Sequence, residues 1–252
     1  MKPVLEIKNL TKIFVTEGKS DFTAVDHVSF QLYPGETLGI VGESGSGKST
    51  LARIISRLID ATEGSVFLDG QDVTEIKRKK LRTYYKDIQM VFQSPVTSFD
   101  PRRTLGDGIG ESLRNQGISK KEAKKEALYL LQQCGLSSEF YERYPHEVSG
   151  GQCQRAAVAR ALAVKPQIVI CDEATSALDV TAQQQIIELL RELKKEGNLA
   201  YLFICHNLAL VQMFCDRVLV MKDGKIVEEG TPDEVIMYPK DEYTKMLVKS
   251  VL

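Results

Sequence analysis

The chain has 252 residues, 43% of them hydrophobic and 27% charged, enough for a well-buried core. With 33 Lys+Arg against 34 Asp+Glu, the formal charge of -1 gives no field strong enough to hold DNA or RNA non-specifically, so no nucleic-acid partner is expected. The 5 cysteines lack C-x-x-C spacing, which argues against disulfide frameworks and zinc clusters and for a reducing compartment; no signal peptide or membrane span is read from the sequence.

In chain order, residues 4–10, 27–32 and 37–41 read as strands, with Pro34-Gly35-Glu36 as the turn before the third. A glycine-rich loop follows, then a helix over residues 48–59. Residues 65–68 form a short strand before the Asp69-Gly70 turn. The basic run KRKKLR over residues 77–82 reads as a solvated helix start, or else as a contact with anionic lipid or an acidic partner. Residues 88–92 form a buried strand. From Gln93 the texture changes: a proline-containing loop runs to residue 103 and residues 106–135 are mostly helical. Residues 94–164 are therefore read as a helical insertion in a single domain spanning 1–252. The chain then returns to strands at 167–171 and 200–205, a helix at 181–196, and a hairpin of 218–221 with 225–228 around Lys222-Asp223-Gly224. Thr231-Pro232 is the cap and first-turn pair of a closing helix.

The segment Gly42-Glu43-Ser44-Gly45-Ser46-Gly47-Lys48-Ser49-Thr50 matches the P-loop pattern, with a strand before and a helix after. Glycines let backbone N–H groups turn toward phosphate oxygens, and the helix adds its positive end. Lys48 is placed to reach the β- and γ-phosphates and Ser49 to ligate Mg²⁺. Asp172 and Glu173 end an apolar strand, where a parallel sheet puts its ligand edge. Asp172 is then a second candidate for Mg²⁺, and Glu173 the candidate for polarising the attacking water. A second phosphate-grip pattern, Ser149-Gly150-Gly151-Gln152, opens a helix about a hundred residues later.

Taken together, these motifs resemble the nucleotide-binding subunit of an ABC transporter over nearly the whole chain. The likeness rests on the P-loop, VFQSP with Gln93, VSGGQ at 148–152, ICDEATSALD at 170–179 and His206 one strand on. It implies a P-loop NTPase (RecA-like) α/β core with an N-terminal antiparallel β-subdomain and an inserted helical subdomain. It implies ATP and Mg²⁺ as ligands, and a head-to-tail pair in which Ser149 and the amides of Gly150 and Gly151 hold the γ-phosphate of the partner's ATP. Residue by residue, Gln93 resembles the contact to Mg²⁺ or water, Asp179 the aspartate at the dimer seam, His206 the switch histidine at the γ-phosphate, and Phe14 the ring under adenine. Val148 stands where leucine is usual, a tolerable apolar swap. Cys153 follows the signature in place of a longer polar residue, and is expected to lie near the partner's ATP and to react with thiol reagents.

Within the family, VFQSPVTSFDPRRTLGD, ERYPHEVSGGQCQR and the Y-T-x-x-L tail at 243–247 resemble importers of peptides and nickel. That likeness implies two permease subunits, a second and often different ATPase subunit, an extracellular binding protein, and a peripheral place on the cytoplasmic membrane face. The SFDPRR segment is where such subunits meet the permease. The chain stops soon after the tail motif, which tilts the expected cargo toward nickel or a metallophore rather than peptides. A soluble ABC-type ATPase of repair or translation is the rival reading; the coiled coil, zinc modules or tandem cores expected of it are not visible. A non-catalytic ATP-binding subunit would lose Glu173, His206 or Ser149, and a P-loop kinase or GTPase has no reason to carry SGGQ.

Overall fold

In a computed structural model, residues 1–15, 20–77, 79–195 and 198–251 are described. In chain order the elements are β1 (Leu5–Phe14), β2 (Phe22–Leu32), β3 (Thr37–Val41), α1 (Lys48–Ile55), β4 (Glu63–Leu68), β5 (Gln71–Asp72), α2 (Lys79–Asp87) and β6 (Ile88–Val91). There follow α3 (Leu105–Asn115), α4 (Lys120–Gln133), α5 (Gly150–Leu162), β7 (Ile168–Asp172), α6 (Val180–Lys195), β8 (Ala200–Ile204) and α7 (Leu208–Phe214). The chain closes with β9 (Arg217–Lys222), β10 (Lys225–Gly230), α8 (Pro232–Met237) and α9 (Glu242–Val251).

Two sheets result. The first is antiparallel, in the order β2-β1-β4-β5, with Leu5 facing Leu32 on one side and Leu68 on the other. Its inward residues, Leu5, Ile7, Leu10, Val25, Val28 and Val66, alternate with exposed ones, the period-2 signature of a sheet with one buried face. The second has the order β10-β9-β3-β8-β7-β6, parallel except for β10. Strands β3, β7 and β8 are buried along their whole length, because helices cover both faces of a parallel sheet and leave no residue for water. This is the expected P-loop NTPase class with its antiparallel partner sheet.

Element limits differ from the sequence reading for local reasons. The first helix stops at Ile55 rather than at residue 59. Ser56 turns its hydroxyl back onto the Ala52 carbonyl at 2.8 Å and Arg57 takes a left-handed φ of 56°. Strands β1 and β2 are longer than expected, and register shifts between them carry the chain past His27, whose φ is 51°. In the basic run the helix begins at Lys79, and Arg78 lies outside the described residues. Helix α6 covers the run read as 181–196, with Glu196 outside the described residues, as is Leu252 of the tail. Helices α7 and α9 were not anticipated. Thr231 caps α8 as read, in a reciprocal box with Glu234.

The stretch 94–164 holds α3, α4 and α5, packed around Leu105, Ile109, Leu113, Ala127, Leu131 and Tyr141. Gly106 is a point of closest approach: a Cβ there would fall 2.2 Å from Cδ2 of Tyr141. At Gly110, one turn on, a Cβ would lie 3.0 Å from Nη1 at the far end of the Arg114 side chain and 3.7 Å from Cβ of Ala123. Gly106→Ala is expected to cost about 1–3 kcal/mol by overpacking. Gly110→Ala is expected to be neutral or mildly stabilising, since alanine gains about 1 kcal/mol of helix propensity. Thermal unfolding of the two variants side by side checks this.

Candidate functional site

The carboxyl ends of four neighbouring parallel strands, β3, β8, β7 and β6, deliver the predicted residues to one edge of the sheet. The P-loop leaves β3, His206 follows β8 by two residues, Asp172 ends β7 with Glu173 next, and Gln93 follows β6 by two residues. Ligand sites of open α/β sheets lie at this edge.

The loop's shape is set by close backbone approaches. At Gly42, with φ of 148°, a Cβ would lie 2.2 Å from the Met221 carbonyl oxygen. At Gly47, with φ of 103°, it would lie 2.2 Å from that of Ala24. No side chain fits at either place, so both sheets press directly on the loop. The Gly224 N–H of the β9–β10 turn donates to the Ser46 carbonyl at 3.0 Å, tying the hairpin to the loop.

Lys48 is 3% exposed. Its ammonium donates to the carbonyls of Gly42 at 2.9 Å and Glu43 at 2.6 Å and to the Ser46 hydroxyl at 3.1 Å. Burial pushes its pKa below the usual lysine range, while the carboxylates of Glu173, Asp172 and Glu43 oppose that shift. The Ser49 hydroxyl donates to Oδ1 of Asp172 at 2.8 Å, so two of the three expected metal ligands, with Gln93 the third, already touch. Burial lifts the Asp172 carboxyl above its ordinary range; the Ser49 hydrogen bond opposes this and the Glu173 charge adds to it. Hard oxygen donors with one carboxylate and few protein ligands suit Mg²⁺, which keeps much of its water shell. Ser44, Gly45 and Thr50 complete the loop and the first turn of α1.

Glu173 takes a left-handed φ of 50°, a conformation that costs a non-glycine residue about 1–3 kcal/mol. Neighbours hold it there. The Gln93 amide donates to its Oε2 at 2.8 Å, His206 Nε2 lies 2.5 Å from its Oε1, and its own N–H donates to the Ile204 carbonyl at 3.1 Å. The other ring nitrogen of His206, Nδ1, lies 3.0 Å from the Gly42 carbonyl oxygen. Both nitrogens face acceptors, and a neutral imidazole donates to only one at a time.

The remaining predicted residues lie apart from this cluster. Ser149 is exposed and caps α5: its hydroxyl accepts the Gln152 N–H at 3.3 Å while the Gln152 side chain accepts the Ser149 N–H at 2.9 Å. Gly150 and Gly151 open the helix, so their N–H groups have no intrahelical acceptor. The Asp179 carboxylate is exposed and accepts the Ala182 N–H at 2.9 Å at the start of α6. Phe14 ends β1 with its ring 40% exposed and Lys12 Nζ 5.2 Å from its centre, a surface ring rather than a core one.

Cys153 corrects the sequence reading. It is fully buried among the helices, not on the phosphate-facing turn, because α5 is enclosed nearly all round from this residue on. Burial raises its thiol to about 11, so little thiolate exists at neutral pH. Two site-related residues escaped the sequence reading. Arg160 of α5, half-buried, donates to the Ser98 carbonyl and hydroxyl and stacks 4.2 Å over Phe99, fastening the SFDPRR segment to the signature helix. Tyr243 of the tail motif reaches the P-loop itself, accepting the Glu43 N–H at 2.8 Å. Both contacts span distances in sequence that no periodicity reports.

Known proteins share this arrangement. The sequence pattern of the ABC transporter family matches residues 25–176. The chain is 45% identical over 254 residues to the dipeptide transport ATP-binding protein DppF of Lactococcus lactis subsp. cremoris (strain MG1363), spanning 99% of this chain and 81% of that one. It is 48% identical over 251 residues to the oligopeptide transport ATP-binding protein OppF of Bacillus subtilis (strain 168), spanning 98% and 82%. Among solved structures, the dimeric, post-hydrolysis ATP-binding cassette MJ0796 bound to ADP and Pi superimposes with a TM-score of 0.83 at 32% identity, covering 90% of this chain and 98% of that one.

Two outcomes are expected. All five cysteines are buried, so the folded protein should resist maleimide or iodoacetamide near neutral pH and Cys153 should react only as pH approaches its raised value; mass spectrometry before and after denaturation reads this. Asp172→Asn should raise the melting temperature in chelator near neutral pH, by about 2–4 °C for each kcal/mol relieved. The folded pKa of Asp172 lies above the unfolded one. Its carboxylate therefore costs stability in full above the folded value, and the advantage of the amide should fade as pH falls from that raised value to the ordinary carboxylate range.

Proposed function

Since the chain belongs to the ABC transporter family and is an ATPase of it, we propose that it is the ATP-hydrolysing motor of an importer of dipeptides or oligopeptides. The relatives named for those cargoes support this cargo over nickel or a metallophore, for which the two named relatives give no support. Among the described residues no helix is long and apolar enough to cross a membrane, so on this reading two permease subunits supply the path and hold the chain at the cytoplasmic membrane face. An extracellular binding protein hands them the cargo.

One observation carries the mechanism: four adjacent strand ends bring together Lys48, His206, Glu173 and Gln93, linked by hydrogen bonds through the Gly42 carbonyl, and beside them the bonded pair Ser49 and Asp172. The P-loop amides from Ser44 to Thr50 and the α1 terminus take up the phosphates. Lys48 exchanges its bonds to neutral loop oxygens for anionic phosphate oxygens, which form stronger charge-assisted bonds with its ammonium. Ser49 and Asp172, with Gln93, would hold Mg²⁺, which would supply charge neutralisation at the phosphates. Glu173, strained and aimed by Gln93 and His206, accepts a proton from the attacking water. His206 steadies the γ-phosphate side, and positioning with charge stabilisation suffices without a covalent intermediate.

The exposed SGGQ turn supports the paired reading. A cap that bonds only within its own turn leaves the Gly150 and Gly151 N–H groups for an outside acceptor, and the γ-phosphate of a second subunit's ATP fits that chemistry. Asp179 then stands at the seam and Phe14 offers its open face to adenine. The dimeric MJ0796 structure supports pairing, with a second copy or a different ATPase as the other half. Closure would draw the α5–Arg160–Phe99 unit, and with it the docked permease loops, toward the partner.

Glu173→Gln is expected to bind ATP normally while hydrolysis falls by about 10²–10⁴. With ATP it should sediment as a pair, alone or with its partner ATPase, and adding Ser149→Arg should disperse that pair. Phosphate release and analytical ultracentrifugation read both; near-normal turnover by Glu173→Gln removes Glu173 from the role of base.

A further inference from the structure

The Y-T-x-x-L tail is a sequence motif that the nucleotide site leaves unexplained, and the structure places it against the P-loop. Its three marked residues, all on α9, face inward. Tyr243 is 4% exposed, Thr244 is fully buried against the Glu228 carboxylate, and Leu247 is buried in the core. The start of α9 is itself pinned: Glu228 accepts the N–H groups of Lys240 at 2.9 Å and Asp241 at 3.0 Å, and Asp241 accepts that of Tyr243 at 2.8 Å. Lys222 Nζ lies 5.0 Å over the Tyr243 ring. The phenol therefore arrives at the loop on a rigid support.

What it holds is one peptide group. The Gly42–Glu43 peptide donates its N–H to the Tyr243 hydroxyl at 2.8 Å. Its carbonyl, Gly42 O, faces Lys48 Nζ at 2.9 Å and His206 Nδ1 at 3.0 Å. A peptide is a rigid plane, so turning one end turns the other. Without the hydroxyl, a partly buried N–H loses its acceptor and the plane rotates to recover one. The Gly42 carbonyl goes with it, and His206, whose Nε2 is against Glu173, loses its anchor.

The geometry points to Tyr243 as a positioning residue for ATP hydrolysis: its hydroxyl fixes the Gly42–Glu43 peptide and, through the Gly42 carbonyl, the aim of His206 at Glu173. This rests on the roles given to His206 and Glu173 above. Tyr243 then braces the nucleotide site from the far end of the chain, held by the bonds of Glu228 and Asp241 at the start of α9.

The test uses the full chain with Tyr243→Phe, which keeps the ring and removes only the hydroxyl, beside Leu247→Ala, which thins the core further along α9, away from its pinned start and from the loop. Two quantities are read: amide exchange at Glu43 without nucleotide, and kcat with KM for ATP. In Tyr243→Phe the Glu43 amide should exchange faster, kcat should fall about two- to tenfold, the worth of one hydrogen bond, and KM should stay within about twofold. Leu247→Ala should lower the melting temperature and leave kcat unchanged. Wild-type exchange or wild-type kcat in Tyr243→Phe overturns the proposal, as does an equal loss of kcat in Leu247→Ala. Exchange at Glu43 reports the grip alone, whereas the Glu173→Gln assay reports the hydrolytic reading, so failure of one is told from failure of the other.

Discussion

A loop that takes phosphate with its own N–H groups can spend few of them on holding its shape; here Ser46 gives its own to the Glu43 carbonyl and Glu43 its own to Tyr243. The fold meets this constraint by gripping the P-loop through its carbonyls and by steric pressure. Gly224 of the hairpin takes the Ser46 carbonyl, Lys48 and His206 take that of Gly42, and the Met221 and Ala24 carbonyls stand where side chains at 42 and 47 would be. Strand β9 therefore matters to the site through its turn, and the antiparallel sheet through Ala24 of β2. Glu43 is the telling case among the loop N–H groups, since it is bonded outward to Tyr243, away from the strand ends.

The same edge of the sheet concentrates charge where charge is costly. Lys48 and Asp172 are both buried, and burial moves each pKa in the direction that disfavours its ion. Glu173 adds backbone strain. None of this serves stability; it is stored at the point where a charged ligand and its metal would relieve it. The scaffold that sustains it is the fully buried trio β3, β8 and β7, whose packing fixes three consecutive strand ends to within a hydrogen bond of each other.

Much of this was legible in the sequence because it is local. The P-loop sits between a strand and a helix, IVICD is apolar and ends in two acids, and Thr231 with Glu234 spells a capping box. The order of the strands gives His206 and Gln93 their places once the family likeness is recognised. What sequence could not show depends on non-local geometry. Helix α1 ends early because Ser56 bonds back to its own turn, and α7 escaped notice although Asn207, which caps it with both Ala209 and Leu210 N–H groups, was in view. Tyr243 lies 200 residues from Glu43, and Arg160 lies 62 from Ser98. Cys153 was misread because adjacency to an exposed signature says nothing about which face of α5 a residue occupies; the helix is enclosed on nearly every side there.

That enclosure extends to every sulfhydryl in the chain, each of which sits inside the fold. The exterior is thereby a clean background for spectroscopy. A single cysteine engineered beside Ser149 or on the P-loop rim would be the only handle a dye or spin label meets in the native protein. Distances across a closing pair could then be followed through the catalytic cycle without stripping out any natural residue.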